Sequence, residues 1–200
     1  MAKSLVGTRT LENLMKAFAG ECQASTRYTY YASVAKKQGY EQISSIFLET
    51  ARNEIQHAKK FLKWAICYTE GENPRMVDIN ASYPLAYSET DTLSNLKSAA
   101  EGEHEEWTEL YNNFGDIAKE EGFPEIGHTF HEIAKVEERH ERRYLKLAEN
   151  IEKGIVFKRD EEVEWKCDNC GYIHKGKEAP EICPSCTHPQ AFFEIFKQTY

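Results

Sequence analysis

Seven residues in the first 150 positions combine types and spacings suited to binding metal ions: Glu21, Glu54, His57, Glu103, Glu106, Glu137 and His140. Glu54-x-x-His57 and Glu137-x-x-His140 each place a carboxylate and an imidazole one helical turn apart on a single face. Two such pairs, completed by Glu residues from other helices, make an oxygen-rich donor set with one histidine per metal. That set suits iron or manganese better than zinc, copper or calcium. A second constellation lies near the C-terminus, where Cys167/Cys170 and Cys183/Cys186 form two C-x-x-C turns separated by 12 residues. Paired turns of this kind wrap one tetrahedral ion in four thiolates. The spacing points firmly to a metal and leaves iron and structural zinc open; redox use would favour iron, because zinc has none.

The elements that must carry these residues show in the apolar pattern. Over the first 150 residues it alternates in steps of three and four, the mark of a helix with one buried face. The four stripes run Leu11–Ala35, Ile43–Trp64, Leu96–Ile117 and Ile126–Ile151. Gly39 and Gly154 are placed to end helices, and Pro124 suits a first helical position. The third stripe continues through Leu110, Phe114 and Ile117 as one helix. All seven candidate ligands fall on the stripes near mid-helix, where four packed helices meet at one level. Carboxylates buried there without compensation face several kcal/mol of desolvation each and repel one another. Cations remove both costs.

The halves repeat each other. LENLMKAFAGE (11–21) resembles LSNLKSAAEGE (93–103) at an offset of 82. After one inserted residue, KKQGYEQI (36–43) matches KEEGFPEI (119–126), and Glu54 and His57 correspond to Glu137 and His140 at an offset of 83. A duplicated helix pair predicts a four-helix bundle with approximate twofold symmetry. About 20 residues, roughly 71–91 and including Pro74 and Pro84, join the halves. At ~3.3 Å per extended residue they can span a helix of about 42 Å, so one long crossover is expected, as in ferritin-like bundles. Glu106 departs from the symmetry: its counterpart is Ala24, so one metal has an extra carboxylate within reach. Tyr28 and Tyr111 are placed to hydrogen-bond ligand carboxylates and to supply protons. His104 and His131 lie off the stripes and are expected in solvent.

Composition sets the outer limits. Of 200 residues, 40% are hydrophobic and 29% charged, which fits a globular chain rather than a disordered one. A net charge of −8 argues against nucleic acid as the main partner. No apolar run reaches the ~18 residues of a membrane span, and the N-terminus shows no secretory signal. The expected compartment is the cytoplasm, where the six cysteines would be thiols or ligands rather than disulfides. Cys22 and Cys67 are expected to be buried and inert. The shift to cysteine-rich sequence divides the chain into a bundle over 1–153, a short charged linker over 154–164 and a small metal-stabilised β domain over 165–200. Trp165, Tyr172, Phe192, Phe193 and Phe196 are its candidate core. The fold class is therefore mainly α, a four-helix bundle plus a small β domain of zinc-ribbon type.

With these motifs in place, essentially the whole chain resembles the rubrerythrin family. The resemblance rests on AGE ending at Glu21, the two E-x-x-H motifs, GEHEE (102–106), and the tail CxxCGY…APEICPSC…HP. It implies a ferritin-like di-iron bundle followed by a rubredoxin-like domain whose iron is held by four cysteines. It implies Glu21, Glu54, Glu103, Glu106, Glu137 and His140 as di-iron ligands, with Glu54 and Glu137 bridging. His57 matches the family's histidine that exchanges with the carboxylate matching Glu106 as one iron changes oxidation state, and Tyr28 and Tyr111 match tyrosines near the cluster. No ligand position departs from the family pattern.

The activity this implies is reduction of hydrogen peroxide to water, with electrons from an external donor, a rubredoxin or a reductase, relayed through the cysteine-bound iron. Such a role would serve oxidative stress defence. The length of the bundle suggests a head-to-tail homodimer with electron transfer between subunits. Two rivals stand beside it: a ferroxidase or iron-storage protein, which leaves the cysteine domain unexplained, and a non-enzymatic zinc-ribbon adaptor.

Overall fold

The computed structural model describes residues 3–69 and 76–199; Pro74 of the expected crossover lies outside the described residues. Four long helices pack as two antiparallel hairpins. The first pairs α1 (Arg9–Lys37) with α2 (Glu41–Cys67). The second pairs a helix in three sections with α5 (Pro124–Glu152); the sections are α3 (Thr92–Glu105), a π-helical segment (Glu106–Leu110) and α4 (Tyr111–Glu120). Local signals set the ends. The Thr8 hydroxyl accepts a hydrogen bond from the Leu11 amide at 3.1 Å and starts α1. Gly39 and Gly122 adopt φ of +80° and +82°, which only glycine enters without cost. At each of these turns the following amide reaches back across the helix end, Tyr40 N to Ala35 O at 2.9 Å and Phe123 N to Ala118 O at 2.7 Å. Both hairpins thus close on the same motif, which stops the helix and reverses the chain.

The third helix is not the single α-helix that the apolar stripe suggested. The hydrogen bonds of its π segment span one residue more than those of the flanking helix, as from Tyr111 N to Glu106 O, and the segment lies in the interval where the second half has its inserted residue. The insertion is absorbed as a local widening, so the inward face shifts by one position. Tyr111, Phe114 and Ala118 are buried, whereas Leu110 and Ile117 are only partly so. Glu21 and Tyr28 stand seven residues apart in α1, whereas their counterparts Glu103 and Tyr111 stand eight apart, yet both pairs face the core.

The bundle core divides into two apolar clusters along the axis. One gathers Leu11, Leu14, Phe61, Tyr111 and Phe130, and the other Tyr28, Phe47, Leu96, Tyr144 and Leu147. The polar residues of the stripes lie between them in sequence. The crossover, described from Met76 to Asp91, runs in extended form beside α1. Four contacts mark its path: the Tyr83 hydroxyl donates to Lys16 O, Arg27 to Pro84 O, Tyr31 to Ala86 O and the Gln38 amide to Thr90 O. It therefore travels the length of α1 and joins antiparallel hairpins whose consecutive ends lie at opposite poles. Among the described residues no helix is long and apolar enough to cross a membrane.

The C-terminal unit is a three-stranded antiparallel sheet in the order β2 (Ile173–Glu178), β1 (Lys158–Cys167), β3 (Phe193–Ile195). Strand β1 begins at Lys158, so much of the stretch read as linker over 154–164 is strand. Its charged composition hides this, because its early residues are mostly exposed and the strand state comes from pairing with β2. Trp165 and Phe193 fill the small core with the cysteines, Tyr172 and Phe192 pack beside them, and Phe196 is not part of that cluster. The unit docks on the α1–α2 turn, where Gln42 donates to Glu194 at 3.3 Å and Tyr40 stacks on Phe157. Cys22 and Cys67 are exposed, not buried as expected. Cys22 follows Glu21 and so turns about 100° away from the core stripe, and Cys67 is the last residue of α2.

Helices α4 and α5 approach closely at Gly115 and Gly127. A Cβ on Gly127 would lie 2.6 Å from Gly115 O, a backbone atom with little freedom to move. Gly127→Ala is therefore expected to lower stability by about 1–3 kcal/mol through overpacking, against a helix-propensity gain of about 1 kcal/mol. Urea unfolding checks this; an unchanged or higher midpoint would contradict the close approach.

Candidate metal centres

Each of the four helices sends at least one carboxylate into the layer between the apolar clusters. Glu21, Glu54, Glu103 and Glu137 are 0–1% exposed and His140 is 5% exposed. His57 Nδ1 lies 2.9 Å from Glu54, 3.0 Å from Glu137 and 3.7 Å from Glu21. His140 Nδ1 lies 2.8 Å from Glu137, 3.2 Å from Glu54 and 3.6 Å from Glu103. The duplication is visible in this geometry. Two four-residue groups can each hold an ion: Glu21, Glu54, His57 and Glu137, and then Glu54, Glu103, Glu137 and His140. Glu54 and Glu137 belong to both, which is where bridging ligands must stand. Glu106 belongs to neither. The structure brings six of the seven expected residues together around two positions and leaves Glu106 beside them.

Two tyrosines lock the outer carboxylates crosswise. The Tyr28 hydroxyl donates to Glu103 Oε1 and the Tyr111 hydroxyl to Glu21 Oε1, each at 2.6 Å, so each half of the chain orients a carboxylate of the other. Burial, followed by the nearby carboxylates, pushes both phenols well above their usual range, so they stay protonated. The remaining oxygens, Glu21 Oε2, Glu54 Oε1, Glu103 Oε2 and both of Glu137, lie 2.8–3.7 Å from the two imidazole nitrogens, and none is in hydrogen-bond geometry with a donor. Orphaned buried carboxylate oxygens are costly. Converging from four helices with imidazoles between them, they fit a pair of cations as the missing partners.

The electrostatics of the metal-free protein show the same strain. Burial raises Glu103 to about 8, helped by the charge of Glu54, and lifts Glu21 and Glu106 well above the carboxylate range. Burial also raises Glu54, but contacts with His140 and His57 outweigh it and bring this group to about 2. Desolvation disfavours protonated His140, yet Glu103, Glu137 and Glu54 prevail and raise it to about 12; His57 shifts in the same direction, chiefly through Glu137, Glu21 and Glu54. Protons thus occupy the place that cations would fill, and metal binding must displace them.

The second centre is built by two knuckles of the β domain. The Cys167 and Cys186 sulfurs are 3.7 Å apart, as are those of Cys170 and Cys183, and all four ligand atoms lie within 4.8 Å of one another. The edge of a tetrahedron with ~2.3 Å metal–sulfur bonds is about 3.8 Å, so the cage has the size for one ion. The His188 backbone amide draws the Cys186 thiol down to about 6, whereas burial pushes Cys167 up to about 12. After each knuckle the chain enters the left-handed region, at Gly171 and at Thr187.

Residues outside the sequence-based set complete the surroundings. A cavity of about 290 Å³ lies between α1, α4 and the crossover, with Glu106 and Tyr111 on its wall together with Gly20, Tyr83 and Arg27. No periodicity marks the crossover residues, so only the folded chain reveals them. His104 is largely exposed as expected, but it contacts Glu141, which also accepts from Trp107 Nε1 at 2.5 Å. His131 is less exposed and sits against Asp116 at 3.2 Å.

This fold and site define a ferritin-like bundle with a carboxylate di-iron centre, joined to a four-cysteine domain of rubredoxin type. Residues 12–148 match the rubrerythrin family and residues 165–194 match the rubredoxin-like domain of rubrerythrins; the chain belongs to the rubrerythrin family. It is 61% identical to a rubrerythrin of Clostridium perfringens over 198 residues, covering 99% of this chain and 100% of the relative. A rubrerythrin of Porphyromonas gingivalis is 52% identical, with 100% and 96% covered. Among solved structures, a partially reduced nigerythrin superposes with a TM-score of 0.61 at 34% identity, covering 97% of this chain and 92% of that one. A Desulfovibrio desulfuricans bacterioferritin, at 20% identity and a TM-score of 0.63, covers 74% and 82% and shares the fold.

A pH dependence follows for the metal-free protein. Glu103 has an ordinary value of 4.5 and a folded value of about 8, so the stability from its protonation is fully present below 4.5 and is lost as pH rises through 8. Glu21 and Glu106 shift the same way. Chelator-treated protein is therefore expected to unfold at progressively lower urea concentration from pH 5 to pH 8, and iron-loaded protein to lose most of that slope. A flat or rising apo profile would contradict the buried cluster.

Proposed function

We propose that this protein is a peroxidase that reduces hydrogen peroxide to water at its di-iron site, with an iron held by Cys167, Cys170, Cys183 and Cys186 relaying electrons from an external donor. The observation that carries the reading is that Tyr111, hydrogen-bonded to Glu21 of the carboxylate–histidine cluster, also stands on the wall of a cavity lined by Glu106. Glu21, Glu54, His57, Glu103, Glu137 and His140 would hold the irons, and Glu106, three residues from Glu103, would exchange into the set. When bound, the metal pair supplies two electrons and the positive charge that holds peroxide oxygens. The chain supplies the rest. The Glu106 carboxyl faces the cavity and can deliver a proton as the O–O bond breaks, and Tyr111, hydrogen-bonded to Glu21, orients that ligand and stores a second proton. Hydrogen peroxide, two electrons and two protons give two waters.

The cysteine domain gives the redox reading its advantage over iron storage or a structural adaptor, since neither rival uses a thiolate iron. The docking contact at Gln42 lies twelve residues along α2 from Glu54, about 18 Å at ~1.5 Å per residue. A head-to-tail homodimer would offer the partner's iron a shorter path. Defence against oxidants is the role such an activity serves.

Stopped-flow mixing of fully reduced protein tests the reading. Hydrogen peroxide is expected to oxidise the di-iron site at least about tenfold faster than dioxygen; the reverse order would favour the ferroxidase alternative. Glu106→Ala is expected to slow the peroxide reaction roughly 10- to 100-fold, the usual scale for groups that support metal ligands, with helix content unchanged. An unaltered rate would remove Glu106 from the mechanism.

A further inference from the structure

The cavity beside the di-iron site is much larger than hydrogen peroxide requires. At about 290 Å³ it lies close to the lower end of the range for organic ligands, ~300 Å³ upward. Its wall is mixed, with Lys16, Gln23, Arg27, Asn80, Ser82 and Glu105 among its polar residues, and part of it is apolar. Glu106 and Tyr111 stand where the cavity meets the metal layer, while Ala17, Phe114, Leu110 and Pro84 form apolar wall. A substrate of two oxygens uses the first set and has no use for the second.

We infer that the same site takes organic hydroperoxides, R–O–O–H with a short apolar R group, the peroxy end at Glu106 and Tyr111 and the R group against Phe114 and Leu110. This inference rests on the peroxidase reading above. The step balances as in that reading. The O–O bond breaks, two electrons come from the reduced di-iron site and two protons from the acids on the wall, and the products are the alcohol ROH and one water. The alcohol leaves through the cavity that admitted its parent.

Two residues set the size limit. Tyr83 is pinned over the cavity by its hydroxyl, which donates to Lys16 O at 3.0 Å, and Arg27 secures the adjoining crossover through Pro84 O at 3.3 Å. Gly20 faces the space between Tyr83 and Glu106. A Cβ there would stand 3.7 Å from the Tyr83 ring and 3.9 Å from Glu106 Oε1, so the missing side chain keeps the passage open. Both distances are ordinary van der Waals contacts, and alanine favours a helix more than glycine does. Gly20→Ala therefore narrows the passage without disturbing the fold, and Gly20→Val narrows it further.

The test compares hydrogen peroxide with tert-butyl hydroperoxide in single-turnover oxidation of the reduced, iron-loaded full-length protein. Native protein is expected to react with both. The ratio of the organic to the inorganic rate constant should fall about tenfold or more in Gly20→Val, the scale on which one added group discriminates in an apolar pocket. It should fall less in Gly20→Ala and rise in Tyr83→Ala. A readout independent of turnover is the anomalous signal of bromine in crystals soaked with 2-bromoethanol, expected between Phe114 and Glu106 in native protein and absent in Gly20→Val. Reaction with hydrogen peroxide but not with the organic peroxide overturns this inference and leaves the peroxidase reading intact. Failure with both overturns both. Equal ratios in all variants, or bromine bound only elsewhere, show that the cavity does not select substrate.

Discussion

Four carboxylates and an imidazole are held almost entirely out of water at the middle of this bundle, and the rest of the molecule is arranged around the cost of keeping them there. Two imidazole nitrogens are all that stands near their inward oxygens, so cations or protons must balance the rest. Apolar clusters on either side of the layer exclude solvent and supply stability that the layer itself subtracts. Metal binding and folding are coupled through this arrangement, because the sites that repel one another when empty become the strongest ties between helices when filled.

Duplication is the economical route to such a site. Two copies of one hairpin, facing each other, furnish two E-x-x-H motifs, two outer Glu residues and two Tyr hydroxyls that cross from one half to the other. Symmetry alone would yield two equivalent metal positions. The single inserted residue, taken up as the π segment at Glu106–Leu110, breaks that equivalence. It lets Tyr111 keep the place that Tyr28 holds in the first half, and it begins at Glu106, the additional carboxylate that stands where the first half has Ala24. The same stretch borders the cavity beneath the crossover.

The cysteine domain solves a different problem with the same means. Its core is too small to hold the fold unaided, and Trp165, Phe193 and the buried thiols surround a cage of tetrahedral size. Joined to the bundle at the α1–α2 turn, it places a second metal at the end of the helices rather than against the di-iron layer.

Much of this was readable before folding. Helical periodicity, the 82- and 83-residue offsets and polar residues on apolar stripes located all seven ligand candidates, because a buried charge must be explained by what neutralises it. The paired C-x-x-C turns located the other centre, since local spacing alone defines a knuckle. Other features depend on contacts between distant segments, and no local pattern encodes those. The insertion was visible as an offset, but its resolution as a π turn, and the shift of the inward face from Leu110 to Tyr111, depended on packing against α5. The strand over Lys158–Glu164 took its state from pairing with β2, against its charged composition. Cys22 and Cys67 turned outward because helix geometry, not thiol chemistry, decides their direction. Composition, periodicity and motif spacing determined the class of fold and the candidate metal ligands; only tertiary structure decided which carboxylates both candidate groups share, which stands aside, and what cavity lies beside them.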